Sequence, residues 1–320
     1  MTVTVKEFEQ FIDTSDGINV YFVNNANDVF DSDIDSKVLA KFRIDFCTEF
    51  RRKYTDHDKF SIVPLSNYDE RKNALYRFDF DNKEMPFEFQ LTQKVLKFKA
   101  TEKVPTYQVK NDKLSNITGV IILIKNTSIQ RSMAFYQHIF PVSLLGPDKG
   151  LLNLTTHKTR LVELAQDVIK LNANFVFLQE ENEYFIENVG TLETRLHFKN
   201  VIHSRAKTYS KKIESIGLVD DMTKFNERID KETSFARKVV KVYKNSVVIQ
   251  EKISNSNIVN FTEKKEYYKV LSAAATPTKD SFKLDSIVRC KKFLELLDDD
   301  FLKSELTQKD YISRVKDLAK

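Results

Sequence analysis

Cationic side chains recur at helical spacing in the C-terminal half of the chain. Arg195, Lys199, His203, Lys207 and Lys211 stand four residues apart, and residues at this spacing lie on adjacent turns of one helix face. Such side chains bind phosphate through charge and hydrogen-bond donation, so the pattern indicates recognition of a polyanion and no particular reaction. Four residues advance about 400° around a helix, so each step rotates the row by about 40°.

Helix geometry therefore predicts two rows of cations, one along each edge of an apolar face that packs against the protein. The apolar positions of this segment are Phe198, Val201, Ile202, Ala206, Tyr209, Ile213 and Ile216. Lys199, His203, Lys207 and Lys211 lie along one edge of this apolar arc, and Arg205 and Lys212 lie along the other. Arg195 is rotated towards the arc itself. No Asp or Glu occurs between Arg195 and Lys212, although an ordinary exposed helix intersperses both signs. A solvated helix surface is the alternative interpretation, and the lack of acids favours a binding surface.

A second helical segment repeats the composition, with cations between Arg237 and Lys244 and no acid before Gln250. If the two helices are neighbours, their cations could engage several phosphates of a duplex. The predicted DNA-contacting residues are Lys199, His203, Arg205, Lys207, Lys211, Lys212, Arg237, Lys238, Lys241 and Lys244. Tyr209 and Tyr243 could stack on nucleotides, but core packing is the favoured role for aromatic residues at this spacing. An acidic protein or an anionic lipid surface is a further candidate partner.

Signatures of catalysis are scarce. The sequence contains no Gly-x-x-x-x-Gly-Lys phosphate loop, no Gly-x-Gly-x-x-Gly and no Cys-x-x-Cys. His197 and His203 are six residues apart, about 240° around a helix, and cannot share a metal ion. We therefore predict no catalytic residue, metal or cofactor, and a function in binding.

A metal-dependent nuclease is the alternative from a different class. It would use Asp79, Asp81 and Lys110, the nearest match to acids joined to a lysine on neighbouring strands. The two acids alternate with Phe78 and Phe80, so the favoured interpretation is that both acids lie on the solvent-exposed face of a strand.

Composition sets the limits of these hypotheses. The 320 residues are 41% apolar, which is ample for folded cores, and carry a net charge of +5. Residues 1–90 hold 12 basic and 18 acidic side chains, whereas residues 195–252 hold 14 and 7, so the charge is polarised. Only Cys47 and Cys290 are present, and no signal-like or long apolar run occurs. We expect a cytoplasmic protein with no direct membrane insertion.

The pattern predicts an α+β fold in two domains. Domain 1–150 has an acidic N-terminal part, a helix over 38–54 and antiparallel strands at 77–80, 86–90, 95–98 and 120–124. Gly146-Pro147 and Gly150 mark the boundary. Domain 151–320 has a small hairpin at 175–187, then mainly helices: the basic helix, ended by Gly217, and segments at 223–229, 234–253, 261–274 and 284–318, the last broken near 298–300.

From residue 167 the chain resembles a known family. The segment Asp-Val-Ile-Lys-Leu-Asn-Ala-Asn-Phe-Val-Phe-Leu at 167–178, Tyr-Phe-Ile-Glu-Asn at 184–188 and the helix from Leu192 are similar to the KwaB family of the two-gene Kiwa anti-phage system. The similarity runs from about Leu75 to the C-terminus. It implies a cytoplasmic bacterial protein that binds DNA, acts against phage replication and gene expression, assembles at least as a dimer and works with a small transmembrane partner, KwaA, which could recruit it to the inner membrane.

Overall fold

A computed structural model describes residues 4–57, 60–98, 103–108, 113–145, 154–157, 160–273, 275–276, 280–304, 306–307 and 309–313. The chain divides into two compact units, Met1–Val63 with Asn73–Leu196, and Pro64–Lys72 with His197–Lys320. This division differs from the domain boundary predicted at 150, because the hairpin that follows belongs to a sheet of the first unit. The predicted boundary residues Gly146, Pro147 and Gly150 lie outside the described residues.

The first unit is an α+β structure, as predicted. Its helices are α1 (Val5–Asp13), α2 (Ser36–Phe50), α3 (Phe87–Leu96) and α4 (Val189–Thr194). Its strands are β1 (Gly17–Asn24), β2 (Val29–Asp31), β3 (Ser61–Pro64), β4 (Ala74–Arg77), β5 (Ile117–Asn126), β6 (Arg131–His138), β7 (Leu144–Leu145), β8 (Leu154–His157), β9 (Arg160–Glu163), β10 (Val168–Ile169), β11 (Phe177–Glu180) and β12 (Glu183–Ile186).

Eight of these strands form one sheet in the order β2-β1-β5-β6-β11-β12-β4-β3. Neighbours from β2 to β4 pair antiparallel, so the antiparallel strand predicted at 120–124 and the hairpin predicted at 175–187 are confirmed. Successive side chains of β6 point to opposite faces. Phe135 therefore meets Phe46 of α2, with ring centroids 4.9 Å apart, while Tyr136 stacks on Phe177, whose ring also meets Phe89 of α3 at 4.4 Å.

The predicted strands at 86–90 and 95–98 are wrong. Residues 87–96 form α3, and its buried positions include Phe89, Thr92 and Val95, which recur every three residues. That spacing is helical, and the alternation of two phenylalanines over five residues is too short to establish a strand. Pro86 stands directly before the first helical residue, a position where its missing N–H costs nothing.

The second unit is mainly helical, as predicted. Its helices are α5 (Lys199–Glu214), α6 (Thr223–Lys231), α7 (Thr233–Asn245), α8 (Val247–Gln250), α9 (Asn255–Glu263), α10 (Lys269–Ser272) and α11 (Ile287–Leu297). Its short strands are β13 (Val219–Asp221), β14 (Ala275–Thr276), β15 (Ser281–Lys283), β16 (Phe301–Lys303) and β17 (Asp310–Ile312). The helix predicted over 284–318 is thus wrong for the described residues beyond Leu297, where β16 and β17 form an antiparallel hairpin. Residues 314–318 of that prediction lie outside the described residues.

The basic helix has the ends that its sequence indicates. His197 has a positive φ of 59° and separates α4 from α5, so Arg195 lies outside the basic helix, above the ring of Phe140. After Glu214 the chain reaches Gly217, whose φ of 76° is the left-handed conformation expected of a helix stop.

Candidate nucleic-acid interface

The two basic helices are neighbours, which is the condition on which the predicted surface depends. The rings of Tyr209 on α5 and Tyr243 on α7 stack with centroids 4.5 Å apart. His203 Nε2 and Thr233 Oγ1 are hydrogen-bonded at 3.0 Å across the same pair of helices. The two tyrosines pack against each other and are half-buried.

The apolar face of α5 is buried at part of the predicted positions, whereas Val201 and Tyr209 are half-buried and Ile216, beyond the helix, is exposed. Ile202, Ala206, Ser210 and Ile213 are its buried residues, spaced by three or four positions. His203 and Arg205 flank this face and are half-buried. The remaining predicted cations of the helix project into solvent, and these are Lys199, Lys207, Lys211 and Lys212.

Three features of α5 shape its electrostatics. Lys211 and Lys212 occupy the last turn, where cations compensate the negative end of the helix dipole. Lys207 Nζ lies 2.7 Å from Asp230 Oδ1 of α6, with both side chains more than half exposed, so water and salt screen the pair strongly. Lys212 Nζ lies 5.3 Å from the ring centroid of Tyr243, which anchors it over the stacked tyrosines.

The cations of α7 have a different environment. Lys238 Nζ contacts Asp298 and lies 3.1 Å from Asp300 Oδ2, and Lys241 Nζ lies 3.2 Å from Asp298 Oδ2. The Lys241 side chain is 8% exposed and that of Asp300 1%. Burial of these charges is compensated by their mutual pairing, so both lysines are engaged inside the second unit.

Arg237 and Lys244 complete the predicted set. The Arg237 guanidinium carbon lies 4.8 Å from the ring centroid of Tyr68, in the segment Pro64–Lys72, and Lys244 is half-buried. Of the predicted DNA-contacting residues, the ones exposed to solvent therefore all lie on α5. The predicted cations of α7 are buried or half-buried against protein. The acidic run Asp298 to Asp300, at the end of α11, was the available sequence signal for the partners of Lys238 and Lys241, but sequence alone could not place it beside α7.

The residues of the alternative nuclease site are only partly described. Asp79 follows the end of β4 at Arg77, so the predicted strand over 77–80 ends earlier than expected. Asp81 accepts a hydrogen bond from Lys83 N at 3.0 Å and caps a short 3₁₀ turn. Lys110 lies outside the described residues. Within the described ranges, no group of three or more His, Cys, Asp or Glu side chains is placed to hold a metal ion.

Comparison with known proteins identifies the family. The family model described as "Kiwa protein KwaB-like" matches residues 114–307, which is more than half of the chain. The chain belongs to the Kiwa protein KwaB-like family. The Kiwa protein KwaB of Escherichia coli O55:H7 (strain RM12579 / EPEC) is 26% identical over 313 residues, covering 98% of this chain and 96% of that protein. No solved structure matches the chain significantly.

The family match includes the whole of α5 to α11 and the central strands of the large sheet. The resemblance noted at 167–188 therefore lies inside the matched region, and the recognition of the KwaB family is confirmed. Across the described ranges, every helix is too short or too polar to cross a bilayer.

Proposed function

We propose that this chain is a Kiwa-type anti-phage defence effector that binds DNA without strong sequence preference through the exposed lysines of α5. Family membership supports the Kiwa role. The observation that carries the DNA-binding part is the row of exposed lysines on a helix segment that contains no acid from Arg195 to Lys212. Such a row attracts phosphate and releases counterions when it binds.

The proposed phosphate contacts are Lys199, Lys207, Lys211 and Lys212, with His203 and Arg205 at the edge of the surface. Lysine is a flexible point charge that contacts phosphate without reading base edges, so we expect tolerance of sequence. Lys238 and Lys241 are left out because Asp298 and Asp300 already neutralise them.

The wider proposal follows the family. Coating of phage DNA by this surface would block replication or gene expression, and assembly as a homodimer or larger oligomer would multiply the number of phosphates engaged. We further propose a cytoplasmic location and recruitment to the inner membrane by the transmembrane partner KwaA. In this scheme the protein acts by binding, and a metal-dependent nuclease is the competing function.

Duplex binding measured across salt concentrations tests the proposal. Fluorescence anisotropy would compare the wild type with Lys199→Glu/Lys211→Glu, and with Lys37→Glu, an exposed lysine on α2, as the control. We expect the double variant to bind at least tenfold more weakly and to show a shallower salt slope, by roughly 0.9 for each phosphate that it no longer engages. Equal affinity of a folded double variant and the wild type would refute the surface.

The competing function needs a separate assay. Plasmid DNA incubated with the protein and Mg²⁺ or Mn²⁺ should remain intact if the protein acts by binding. Cleavage that disappears in Asp79→Ala and Asp81→Ala would establish the nuclease and its site instead. Cleavage that survives both substitutions would establish a nuclease that uses other residues.

A further inference from the structure

A cavity of about 290 Å³ opens in the second unit. Its walls come from α6, α7, α11 and the segment Pro64–Lys72, and Arg228, Phe235, Arg237, Lys238, Lys291 and Tyr68 are among the residues that line it. The volume is at the lower end of the range for ligand pockets, so it suits a small molecule. The exposed lysines of α5 do not line it.

Two arginine–aromatic pairs form parts of the wall. The guanidinium carbon of Arg237 lies 4.8 Å from the ring centroid of Tyr68, and that of Arg228 lies 4.6 Å from the centroid of Phe235. A guanidinium held against a ring keeps its planar orientation, which suits it to fork-like donation to phosphate or to stacking on a planar base. These features are typical of sites for ligands that combine an anionic group with a flat ring.

The first turn of α7 contributes to the same wall. Ser234 and Phe235 line the cavity, and no described side chain caps this end of the thirteen-residue helix. Backbone N–H groups in a first turn have no acceptor within the helix, and the helix dipole is positive there. The end of α7 therefore adds donors for an anion to a wall that already holds Arg237.

Four of the five acids named in the wall are neutralised by cations. Glu232 pairs with Arg228 at 3.0 Å, Glu295 with Lys292 at 3.0 Å, Asp69 with Arg71 at 2.7 Å and Asp300 with Lys238 at 3.1 Å. Glu70, the other acid of the lining, is exposed to solvent. Lys291 is exposed at the cavity, and it forms no ion pair with a described residue at 4.0 Å or less.

We propose that this cavity binds a phosphomonoester of mononucleotide size. The phosphate would lie near the first turn of α7, with Arg237 and Lys291 as charged partners, and the base would stack beside the arginine–aromatic pairs. Free nucleotides and the 5′-phosphorylated end of a DNA strand both present this chemistry. The proposal does not depend on duplex binding by α5, because the two sites share no residue.

Calorimetric titration of the full-length protein tests the site with AMP, GMP and adenosine as probes. We expect AMP or GMP to bind once per chain, and adenosine to bind at least tenfold more weakly than AMP because it lacks the phosphate. Arg237→Gln should weaken nucleotide binding at least tenfold and Lys291→Gln severalfold. Lys211→Gln on α5 is the matched control and should leave nucleotide affinity unchanged.

If Arg237→Gln fails to fold, Lys291→Gln still tests the proposal, because Lys291 is exposed and its substitution should not disturb packing. Absence of AMP and GMP binding at millimolar concentration, or binding that Lys291→Gln and a folded Arg237→Gln leave unchanged, would overturn the proposal. Competition with single-stranded oligonucleotides then identifies the source. Displacement of AMP by a 5′-phosphorylated strand and not by its 5′-hydroxyl counterpart supports a DNA end, whereas displacement by neither supports a free nucleotide.

Discussion

Tyr209 and Tyr243 stack with their ring planes 22° apart, and this pair joins the two helices that carry the predicted DNA-contacting residues. Lys212 lies over both rings, at 5.7 Å from the centroid of Tyr209 and 5.3 Å from that of Tyr243. The aromatic pair therefore fixes how α5 is rotated against α7, and with it which lysines reach solvent.

The stack should be measurable as a coupling between the two rings. Tyr209→Leu and Tyr243→Leu, alone and combined, form a double-mutant cycle in urea unfolding. We expect a coupling free energy of about 1 kcal/mol, because stacked rings contribute beyond the area that they bury. Phe282 and Tyr243 provide a control cycle of aromatic residues for which no ring contact is observed. Additive effects in the Tyr209–Tyr243 cycle would show that the stack contributes nothing.

The ion pair of Lys207 with Asp230 should tune DNA affinity. Asp230→Asn removes a carboxylate beside a proposed phosphate contact, so we expect duplex affinity to rise about two- to fivefold at low salt. The free energy of unfolding should change by less than about 0.5 kcal/mol, since the pair is exposed. Anisotropy and urea titrations measure the two quantities. Asp310→Asn serves as the control, because Asp310 also pairs with a lysine, Lys265, but lies far from Asp230 in the sequence. An equal gain in duplex affinity from Asp310→Asn would argue against a specific role for Asp230.

Lys241 should behave as a structural residue. Lys241→Ala leaves Asp298 buried with one cationic partner fewer, and we expect a loss of about 3 kcal/mol in the free energy of unfolding. Lys211→Ala, at an exposed position four residues from Lys207, should cost less than about 0.5 kcal/mol. Thermal or urea unfolding of the two variants tests the contrast. Similar stabilities would mean that the buried pair does not contribute to folding.

Glu180 should make stability depend on pH. Burial raises the pKa of this carboxyl from 4.5 to about 7, outweighing the attraction of Arg131, while Glu181 and Glu7 add smaller increases. The folded protein thus holds the proton more tightly than the unfolded chain. The resulting stabilisation is complete below about pH 4.5 and is lost as pH rises to about 7, by on the order of 2–3 kcal/mol.

Urea unfolding between pH 5 and 8 measures this effect. Glu180→Gln cannot titrate, so its stability should fall less steeply over the interval than that of the wild type. Glu49→Gln, at an exposed position of α2 in the same unit, is the control and should retain the wild-type slope. Identical slopes for the wild type and Glu180→Gln would contradict the assignment.

Local patterns accounted for those parts of the structure that depend on neighbouring residues. The apolar arc of α5 and its stop at Gly217 follow from helical periodicity and from the conformational freedom of glycine. Residues 86–90 misled because two alternating phenylalanines fit both a short strand and the first turn of a helix. Lys238 and Lys241 looked like surface cations because their partner, Asp298, lies some sixty positions further along the chain. Only tertiary structure brings these groups together.

The segment Pro64–Lys72 has a consequence for how the protein can be dissected. It is encoded between β3 and β4, yet it belongs to the unit otherwise formed by His197–Lys320. A fragment that starts at residue 197, or at the start of the family match at 114, would lack two residues of this unit. These are Leu65, which is buried, and Tyr68, whose ring contacts the guanidinium of Arg237. During synthesis the ribosome releases this segment long before its helical partners exist, so the second unit completes its fold only after α5 to α11 have emerged.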